Sequence, residues 1–339
     1  MAAPSPTQRA LTPRDVEALV AWSFGEGVRV VGCGPLSGGG FAAVWWVRLD
    51  DGRTVVLKTS PPAHARLLRY ERDLLDVEVG YFRLVAERAP HLPVPRVLAH
   101  GHDPALLDGG WLFLSLLPGD SLATLAEATG RPGHEAHDDH ATVREEFGAM
   151  IAGLHRITGD HFGYDGARRA AATWPEAFAG IIEDLLADAV DWDITLPVPA
   201  DDVRATVRRH ADALATVARP ALVQFDNWNG NVLAAPDADG VLRLTGMVDG
   251  ERYLWGDPLV DLVSPVMFRR IEDAPDDAYL RGYGPVVFDE SARRRLGLYR
   301  MHLYLLMNVE MPSRGVFRED DPGRYEFFAT MLRQQVAEL

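Results

Sequence analysis

Asp226 and Asn231 are separated by four residues in the segment Gln224-Phe-Asp-Asn-Trp-Asn-Gly-Asn231, which lies between two short apolar runs. The runs predict two short strands, so the residues between them would form a tight loop that brings a carboxylate and an amide into one small volume. A later apolar run, residues 244–248, leads to another acid, Asp249. A base, a metal-binding amide and a metal-binding carboxylate are the groups that phosphoryl transfer requires.

A glycine-rich segment and a lysine could supply the phosphate-binding half of such a site. Residues 38–40 are three consecutive glycines, followed by predicted strands at 42–49 and 54–58, and the second strand ends in Lys58. Glycine lets backbone N–H groups approach a phosphate closely, and a lysine adds positive charge. A glycine-rich loop alone is commonly just a turn. The order of loop, strand, turn, strand and lysine is more specific, and it differs from the strand–loop–helix order of Rossmann and Walker motifs.

The segment from Arg66 to Arg88 has the apolar period of a helix, with Glu71 and Glu78 on its apolar face. An acid on an apolar face needs a partner, and Lys58 is the obvious candidate. We favour Glu78 as that partner because it lies mid-helix, further from the connecting loop. The alternative is that both glutamates reach solvent at the edge of the apolar stripe.

The predicted elements change in character along the chain. Residues 1–11 are predicted to be a disordered lead-in, followed by a helix that Thr12 caps. Strands dominate as far as residue 117, and helices dominate after the break at Pro118-Gly119. A β-rich first third and a mainly helical remainder predict an α+β protein with two lobes, 1–117 and 118–339.

Composition limits the classes of function. The chain of 339 residues has 49 acids and 34 bases, and its net charge of −15 argues against non-specific binding to nucleic acid or anionic membranes. The acid excess could attract a cationic small molecule, or it could only confer solubility. A single cysteine, Cys33, excludes a disulfide framework within the chain and is consistent with a reducing cytoplasm. We found neither a signal peptide nor a membrane-spanning apolar run, and we expect a cytoplasmic monomer or homodimer.

Two polar regions have competing interpretations. His134, His137 and His140 are spaced by three residues with acids between them. They could bind a metal ion, which would suit a metal-dependent hydrolase, but the surrounding glycine and proline favour a solvated loop. The acid-rich loops at 272–277 and 319–321 could line a site for a cationic substrate or could simply be solvated.

The motifs around Asp226 and Asp249 resemble those of the aminoglycoside phosphotransferase and choline kinase-like group of small-molecule kinases, which share the protein-kinase fold. The resemblance covers about residues 28–270 and is most specific in the blocks 224–231 and 248–262. It implies a small β-rich N-lobe that binds the nucleotide and a larger, mainly helical C-lobe. The C-lobe would carry the catalytic loop and the site for the acceptor substrate.

By position, the resemblance implies that Asp226 is the catalytic aspartate, which accepts or orients the proton of the acceptor hydroxyl. Asn231 and Asp249 would bind Mg²⁺, an ion that prefers hard oxygen ligands. Lys58 would bind the phosphates, with Glu78 as its partner.

The resemblance also implies contacts between the chain and the nucleotide. Ser37, Gly38 and Gly39 would contact the phosphates, and the backbone from Ser115 to Leu117 would meet the edge of the adenine. ATP is the expected nucleotide, and GTP is possible.

One departure from the family pattern concerns Gln224, which stands where the family usually has a histidine thought to orient the catalytic loop. Glutamine can donate and accept hydrogen bonds but does not titrate near neutral pH. The change therefore bears on loop geometry and rate more than on the class of reaction. Asp261 resembles the family's structural aspartate, and Asp257 is expected to cap a helix.

The functional hypothesis is an ATP- and Mg²⁺-dependent phosphotransferase that acts on a hydroxyl of a small molecule. An antibiotic of aminoglycoside, basic peptide or nucleoside type is the expected acceptor, and its phosphorylation would give resistance or self-protection. A metabolic sugar or amine kinase of the same fold is the alternative enzyme. A degenerate nucleotide-binding pseudokinase is a further alternative, which only Gln224 favours.

Overall fold

An antiparallel five-stranded sheet forms the core of the N-lobe in the computed structural model, which describes residues 5–36, 39–135 and 140–339. The strand order is β1-β2-β3-β5-β4. The strands are β1 (Val30–Pro35), β2 (Ala43–Leu49), β3 (Thr54–Thr59), β4 (Val97–His102) and β5 (Gly110–Ser115). Helix α1 (Pro13–Phe24) begins with the predicted capping box of Thr12 and Asp15. Its apolar residues pack with one face of the sheet, while helix α2 (Leu74–Arg88) belongs to the main core cluster on the other side of Leu112 and Leu114.

Helix α2 begins at Leu74, so the prediction of one helix from residue 66 is wrong. The short 3₁₀ turn Arg69–Glu71 ends at Arg72, whose backbone is extended, and Asp73 then adopts a left-handed backbone with φ of 56° before α2 starts. Glu71 therefore does not share a helix face with Glu78. Its carboxylate accepts from Leu68 N at 2.8 Å and pairs with Arg314 of the C-lobe. Both glutamates are buried, so the alternative that both reach solvent is also wrong.

Helices dominate the C-lobe. They are α3 (Leu122–Glu127), α4 (Ala141–Leu154), α5 (Trp174–Asp191), α6 (Ala200–Arg209), α7 (Ala211–Leu214), α8 (Ala278–Tyr283), α9 (Glu290–Glu310) and α10 (Pro322–Glu338). Most residues of α9 from 296 to 309 are buried, including the polar residues Arg300, His302 and Asn308, so this helix lies at the centre of the lobe.

Two small sheets position the loops of the C-lobe. One has the order β11-β10-β6, and the other has the order β8-β7-β12-β9. Their strands are β6 (Asp120–Ser121), β7 (Phe162–Gly163), β8 (Ala170–Ala171), β9 (Ala221–Val223), β10 (Val232–Pro236), β11 (Leu242–Met247) and β12 (Leu254–Gly256). The predicted α+β fold with two lobes is confirmed, while the boundary between residues 117 and 118 stays a prediction.

Residues 5–11 are ordered against the glycine-rich hairpin, so the predicted disordered lead-in is wrong for this part of the segment. Gln8 Nε2 donates to Gly39 O at 2.7 Å, and Thr7, which is fully buried, directs its hydroxyl to Gly40 O at 3.4 Å. Arg9 pairs with Asp108 beyond strand β4. We call residues 5–9 the N-terminal strap. Its order comes from these distant partners, which the local composition does not reveal.

In the part of the chain that the structure describes, none of the helices combines the length and apolar character needed to cross a membrane.

Candidate active site

The segment between β9 and β10 places Asn231 beside Asp249. After β9, residues 224–228 form a loop, and a short 3₁₀ turn, Asn229–Asn231, leads into β10. Strand β10 pairs with β11 in antiparallel register, and Val248 N donates to Asn231 O at 3.0 Å just beyond the paired strands. Because Asn231 and Asp249 flank the same end of this hairpin, their side chains belong to one site.

Asp261 holds the loop in its shape. Its carboxylate accepts from Gln224 N at 2.9 Å and from Phe225 N at 2.7 Å, and His155 Nε2 lies 3.0 Å away. Asn227 Nδ2 donates to the carbonyl oxygen of Asp261 at 3.0 Å. These bonds fix Phe225 with a φ of 65°, a left-handed conformation that a phenylalanine rarely adopts. Asp261 is fully buried and acts on the loop from below, away from the cleft.

Gln224, the residue that departs from the family pattern, is also buried below the loop. Its Nε2 donates to Asp249 O at 2.8 Å and lies 3.3 Å from Val248 O. Asp249 has a φ of 57°, so this bond holds a backbone conformation that is unfavourable for a residue with a side chain. Gln224 therefore joins the loop of Asp226 to the segment of Asp249.

Lys58 contacts three carboxylates. Its Nζ lies 2.7 Å from the nearer oxygen of Glu78, 2.7 Å from Asp249 Oδ1 and 3.5 Å from Glu251 Oε2. The pair of Lys58 with Glu78, which the pattern of α2 predicts, is therefore present and buried. The additional contacts bring the N-lobe lysine directly to the segment that follows β11.

The charges around Lys58 shift the pKa of both partners. Burial lowers the pKa of Lys58, but Asp249, Glu78 and Glu251 outweigh burial and hold it well above its usual value. Burial raises the pKa of Glu78, while Lys58 opposes this shift. One ammonium group cannot compensate three carboxylates in full, so an additional cation near Asp249 and Glu251 would be favourable.

Asp226 faces the cleft, and its side chain is 27% exposed. Arg252 Nε lies 3.6 Å from Asp226 Oδ2, and Arg252 Nη2 lies 3.1 Å from Glu310 Oε2. Burial raises the pKa of Asp226 to about 6, with Arg252 opposing and nearby acids, Asp249 first among them, reinforcing the shift. Arg252 was not predicted as a site residue. Its position three residues after Asp249 could have indicated that it lies near the site.

The oxygen donors of Asn231 and Asp249 fit a hard divalent cation. Asn231 Nδ2 donates to Asp226 O at 2.7 Å, so the amide oxygen is the atom left to bind a cation. The Asp249 carboxylate is 35% exposed and can accept further ligands beside Lys58. One amide oxygen and one carboxylate, completed by phosphate oxygens and water, suit Mg²⁺.

A cleft of about 670 Å³ joins these groups. Its lining includes Lys58, Asp226, Asn231 and Asp249, together with Gly39 from the glycine-rich hairpin. The N-terminal strap contributes to the rim of the same cleft through Ser5 and Gln8.

Ser115 and Leu117 are not among the residues that line this cleft, and their predicted contact with the adenine stays a prediction. Ser115 ends β5, where its N–H donates to Arg96 O at 2.9 Å. Ser37 and Gly38 lie outside the described residues, so their predicted contacts stay predictions. Glu78 lies behind Lys58 and does not line the cleft either.

Of the two ambiguous polar regions, the histidine segment lies partly outside the described residues, so metal binding there stays a prediction. His134 lines the cleft and packs edge-to-face on Phe268, His140 is exposed just before α4, and His137 lies outside the described residues. The acid-rich loops at 272–277 and 319–321 contribute no residue to the cleft. Among the described residues, one group of three possible metal ligands occurs on the N-lobe, where His100 and His102 both face Asp76.

Comparison with known proteins agrees with this architecture. A family model described as "Phosphotransferase enzyme family" matches residues 33–298. Among curated proteins, no significant match was found.

Solved structures are similar along nearly the whole chain. A candidate fructosamine-3-kinase from Thermobifida fusca is 21% identical with a TM-score of 0.66, over 96% of this chain and 99% of that chain. A mutant aminoglycoside phosphotransferase in ternary complex with ADP and hygromycin B is 19% identical with a TM-score of 0.58, over 95% and 98%. A macrolide 2′-phosphotransferase from Brachybacterium faecium is 19% identical with a TM-score of 0.52, over 94% and 97%. At these identities, similarity to individual structures establishes the fold alone.

Proposed function

This chain belongs to the phosphotransferase enzyme family, and we propose that it is an ATP- and Mg²⁺-dependent kinase that phosphorylates a hydroxyl of a small molecule. The observation that carries the proposal is the convergence of Lys58, Asp226, Asn231 and Asp249 on one cleft between the lobes. These residues supply a phosphate-binding cation, a base and two metal-binding oxygens, which together are what phosphoryl transfer requires.

Lys58 would bind the nucleotide phosphates, and Glu78 would hold it in position. The ion pair at 2.7 Å supports this assignment, since Glu78 is fully buried and anchors the ammonium at the inner end of the cleft. Backbone groups of the glycine-rich hairpin, Ser37, Gly38 and Gly39, would contact the same phosphates. Ser115 and Leu117 would contact the adenine through their backbone.

Asn231 and Asp249 would hold Mg²⁺. When bound, Mg²⁺ would neutralise charge on the transferring phosphoryl group. The surplus of carboxylates around Lys58 supports a cation at this position, because Glu78, Asp249 and Glu251 share a single ammonium group. Gln224 would keep the Asp249 backbone in the required conformation.

Asp226 would orient the acceptor hydroxyl and accept its proton. The hydroxyl oxygen forms a bond to the γ-phosphorus, the bond from that phosphorus to the bridging oxygen of ADP breaks, and the proton passes to a carboxylate oxygen of Asp226. A pKa of about 6 suits this role, since the carboxylate is ionised at neutral pH yet close enough to neutrality to take up a proton. Arg252 would fix the carboxylate and limit the rise of its pKa.

An antibiotic is the acceptor class that we propose. Its phosphorylation in the cytoplasm would give the host resistance or self-protection. The names of similar structures include kinases of both antibiotics and metabolites. A metabolic sugar or amine kinase is therefore the second candidate. A pseudokinase is less well supported, because Gln224, its one favourable feature, makes the contacts that a loop-orienting residue needs.

The test is a transfer assay with purified protein, ATP, Mg²⁺ and a panel of hydroxyl-bearing antibiotics and metabolites, with mass detection of an added phosphate. The proposal expects a phosphorylated product with at least one compound. Asp249→Ala serves as the matched variant, and we expect it to lose the thermal stabilisation by Mg²⁺ and ATP that the native protein shows. Binding of ATP with no transfer to any compound would instead support the pseudokinase.

A further inference from the structure

The C-lobe contributes a group of apolar side chains to the lining of the cleft. We call the part of the cleft that they line the acceptor chamber. Its apolar lining comes from the segment after residue 266 and from helices α9 and α10. The residues are Met267, Phe268, Leu303, Met307, Phe327 and Phe328. Such a surface binds apolar ligand faces through burial, and methionine adapts to ligands of different shape.

The charges that line the cleft are balanced, although the whole chain has a net charge of −15. Four acids face four bases in the lining, so the acid excess of the chain lies elsewhere. The acids are Asp226, Asp249, Glu251 and Glu310, and the bases are Lys58, Arg252, Arg314 and Arg324. Apart from the local surplus of carboxylates around Lys58, the cleft as a whole therefore has no excess of negative charge that would favour a cationic acceptor.

Glu310, at the end of the helix that supplies Leu303 and Met307 to the acceptor chamber, already has partners. Glu310 accepts from Tyr70 OH at 2.8 Å and lies 3.1 Å from Arg252 and 3.3 Å from Arg314. Arg324, by contrast, has no carboxylate partner among the described residues, and its guanidinium lies 5.7 Å from the centre of the Phe328 ring. A ligand with several ammonium groups would meet an unpaired cation here and no free carboxylate beyond Asp226.

Phe268, in the wall of the acceptor chamber, has a strained backbone conformation. Its φ of 66° is left-handed, which is unfavourable for a bulky side chain. Four aromatic neighbours surround its ring. The distances between ring centres are 4.8 Å for Phe327, 5.4 Å for His134, 6.1 Å for Tyr304 and 6.2 Å for Phe328. Phe327 nevertheless stays 42% exposed, so the aromatic cluster presents an open apolar surface to the chamber.

We propose that the acceptor is a hydroxylated amphiphile: a compound with a broad apolar face, a hydroxyl that reaches Asp226, and no cluster of amino groups. This inference rests on the proposed function. It excludes polycationic aminoglycosides and basic peptides from the range of acceptors. The apolar face would cover Phe268 and Phe327, with the hydroxyl turned toward Asp226. Arg324 would tolerate a neutral or anionic group at the mouth.

The first experiment measures binding of an apolar ligand to the chamber and does not depend on phosphoryl transfer. The fluorescent amphiphile 8-anilino-1-naphthalenesulfonate is titrated into protein with saturating ADP and Mg²⁺, which keep it out of the nucleotide half. We expect binding that Phe327→Asp weakens about tenfold or more, since the substitution puts a charge into the apolar contact. Phe317→Asp is the matched control, because Phe317 is 45% exposed and does not line the cleft. It should leave binding unchanged.

Competition then separates the ligand classes. Erythromycin, a hydroxylated macrolide with one amino group, should displace the probe, and hygromycin B, a polycation, should not. Equal probe binding by the native protein and Phe327→Asp would overturn the inference, as would displacement by hygromycin B alone. Thermal unfolding checks that both variants are folded.

A transfer assay distinguishes failure of the inference from failure of the proposed function. The compound panel is divided into hydroxylated amphiphiles and polycationic aminoglycosides, and each half is incubated with ATP and Mg²⁺. Phosphate added within the amphiphile half supports the inference. Phosphate added only within the aminoglycoside half overturns it and leaves the proposed function intact. If no phosphate is added in either half, the proposed function fails, and the inference then fails with it as a statement about an acceptor.

Discussion

Gln224 Nε2 donates a hydrogen bond of 2.8 Å to the carbonyl oxygen of Asp249. The bond joins the loop that carries Asp226 to the residue that we propose as a ligand of Mg²⁺. Gln224 is fully buried and does not line the cleft, so the bond lies beneath the surface of the site. A residue that cannot titrate near neutral pH thus orients both halves of the site, so the departure from the usual histidine is compatible with catalysis.

The first prediction concerns this bond. Gln224→Ala should raise the Mg²⁺ concentration needed for half-maximal rate several-fold, because Asp249 loses the contact that holds its left-handed backbone. The free energy of unfolding should fall by about 1–2 kcal/mol from the lost hydrogen bonds. Gln224→His retains a donor and should recover most of the Mg²⁺ dependence.

Gln335→Ala is the control for the Gln224 variants. Gln335 is likewise buried, and its Oε1 accepts from Arg300 at 3.1 Å, within a part of the C-lobe that does not line the cleft. This variant should lose stability without a change in Mg²⁺ dependence. Equal Mg²⁺ dependence in Gln224→Ala and the native protein would contradict the role given to Gln224.

The second prediction is a pH dependence set by Asp226. Its pKa is raised to about 6, so the carboxylate is protonated below that pH and cannot accept the hydroxyl proton. A plot of kcat/KM against pH should therefore rise through about pH 6 and level off above it. Arg252→Gln removes the cation that lowers this pKa, so its rising limb should move to higher pH. Arg293→Gln, a surface change that breaks the pair with Asp273, should leave the limb in place. A limb that does not move in Arg252→Gln would refute the assignment to Asp226.

The third prediction concerns the N-terminal strap. Removal of residues 1–9 deletes the bonds from Gln8 to Gly39 O and from Thr7 to Gly40 O, so the glycine-rich hairpin loses its outer support. We expect KM for ATP to rise several-fold while kcat changes little. Steady-state kinetics with varied ATP would measure both constants.

Thr12→Ala provides the comparison for the strap deletion. It removes the N-cap of α1, with a loss of stability of about 1 kcal/mol, but leaves the strap contacts in place. KM for ATP should then be unchanged. A similar rise of KM in both variants would show that general destabilisation, and not the strap, is responsible.

Local patterns predicted the parts of the site whose partners are close in sequence or dictated by chemistry. Asp226, Asn231 and Asp249 lie at the ends of short apolar runs, and the hairpin of β10 and β11 brings two of them together. The pair of Lys58 and Glu78 followed from an acid on an apolar helix face beside a lone buried lysine.

Partners that are far apart in sequence could not be predicted in this way. Glu71 is paired with Arg314, a residue 243 positions later, and no local pattern of either segment marks the other. The N-terminal strap has the composition of a disordered segment, yet it is ordered by contacts with the hairpin and with Asp108. The acceptor chamber combines Phe268 with side chains of two helices that are distant in sequence. Its apolar character could therefore not be predicted from any single segment or from the net charge of the chain.

Asp226→Asn removes the proposed base and keeps the size of the side chain. Phosphoryl transfer to an acceptor from the compound panel is measured in single turnover, and the affinity for ATP with Mg²⁺ is measured on the same sample by calorimetry. We expect a fall in the transfer rate of about 10²-fold or more, the usual scale for a general base, with the nucleotide affinity changed less than about threefold. A transfer rate equal to that of the native protein would refute the assignment of Asp226 as the base.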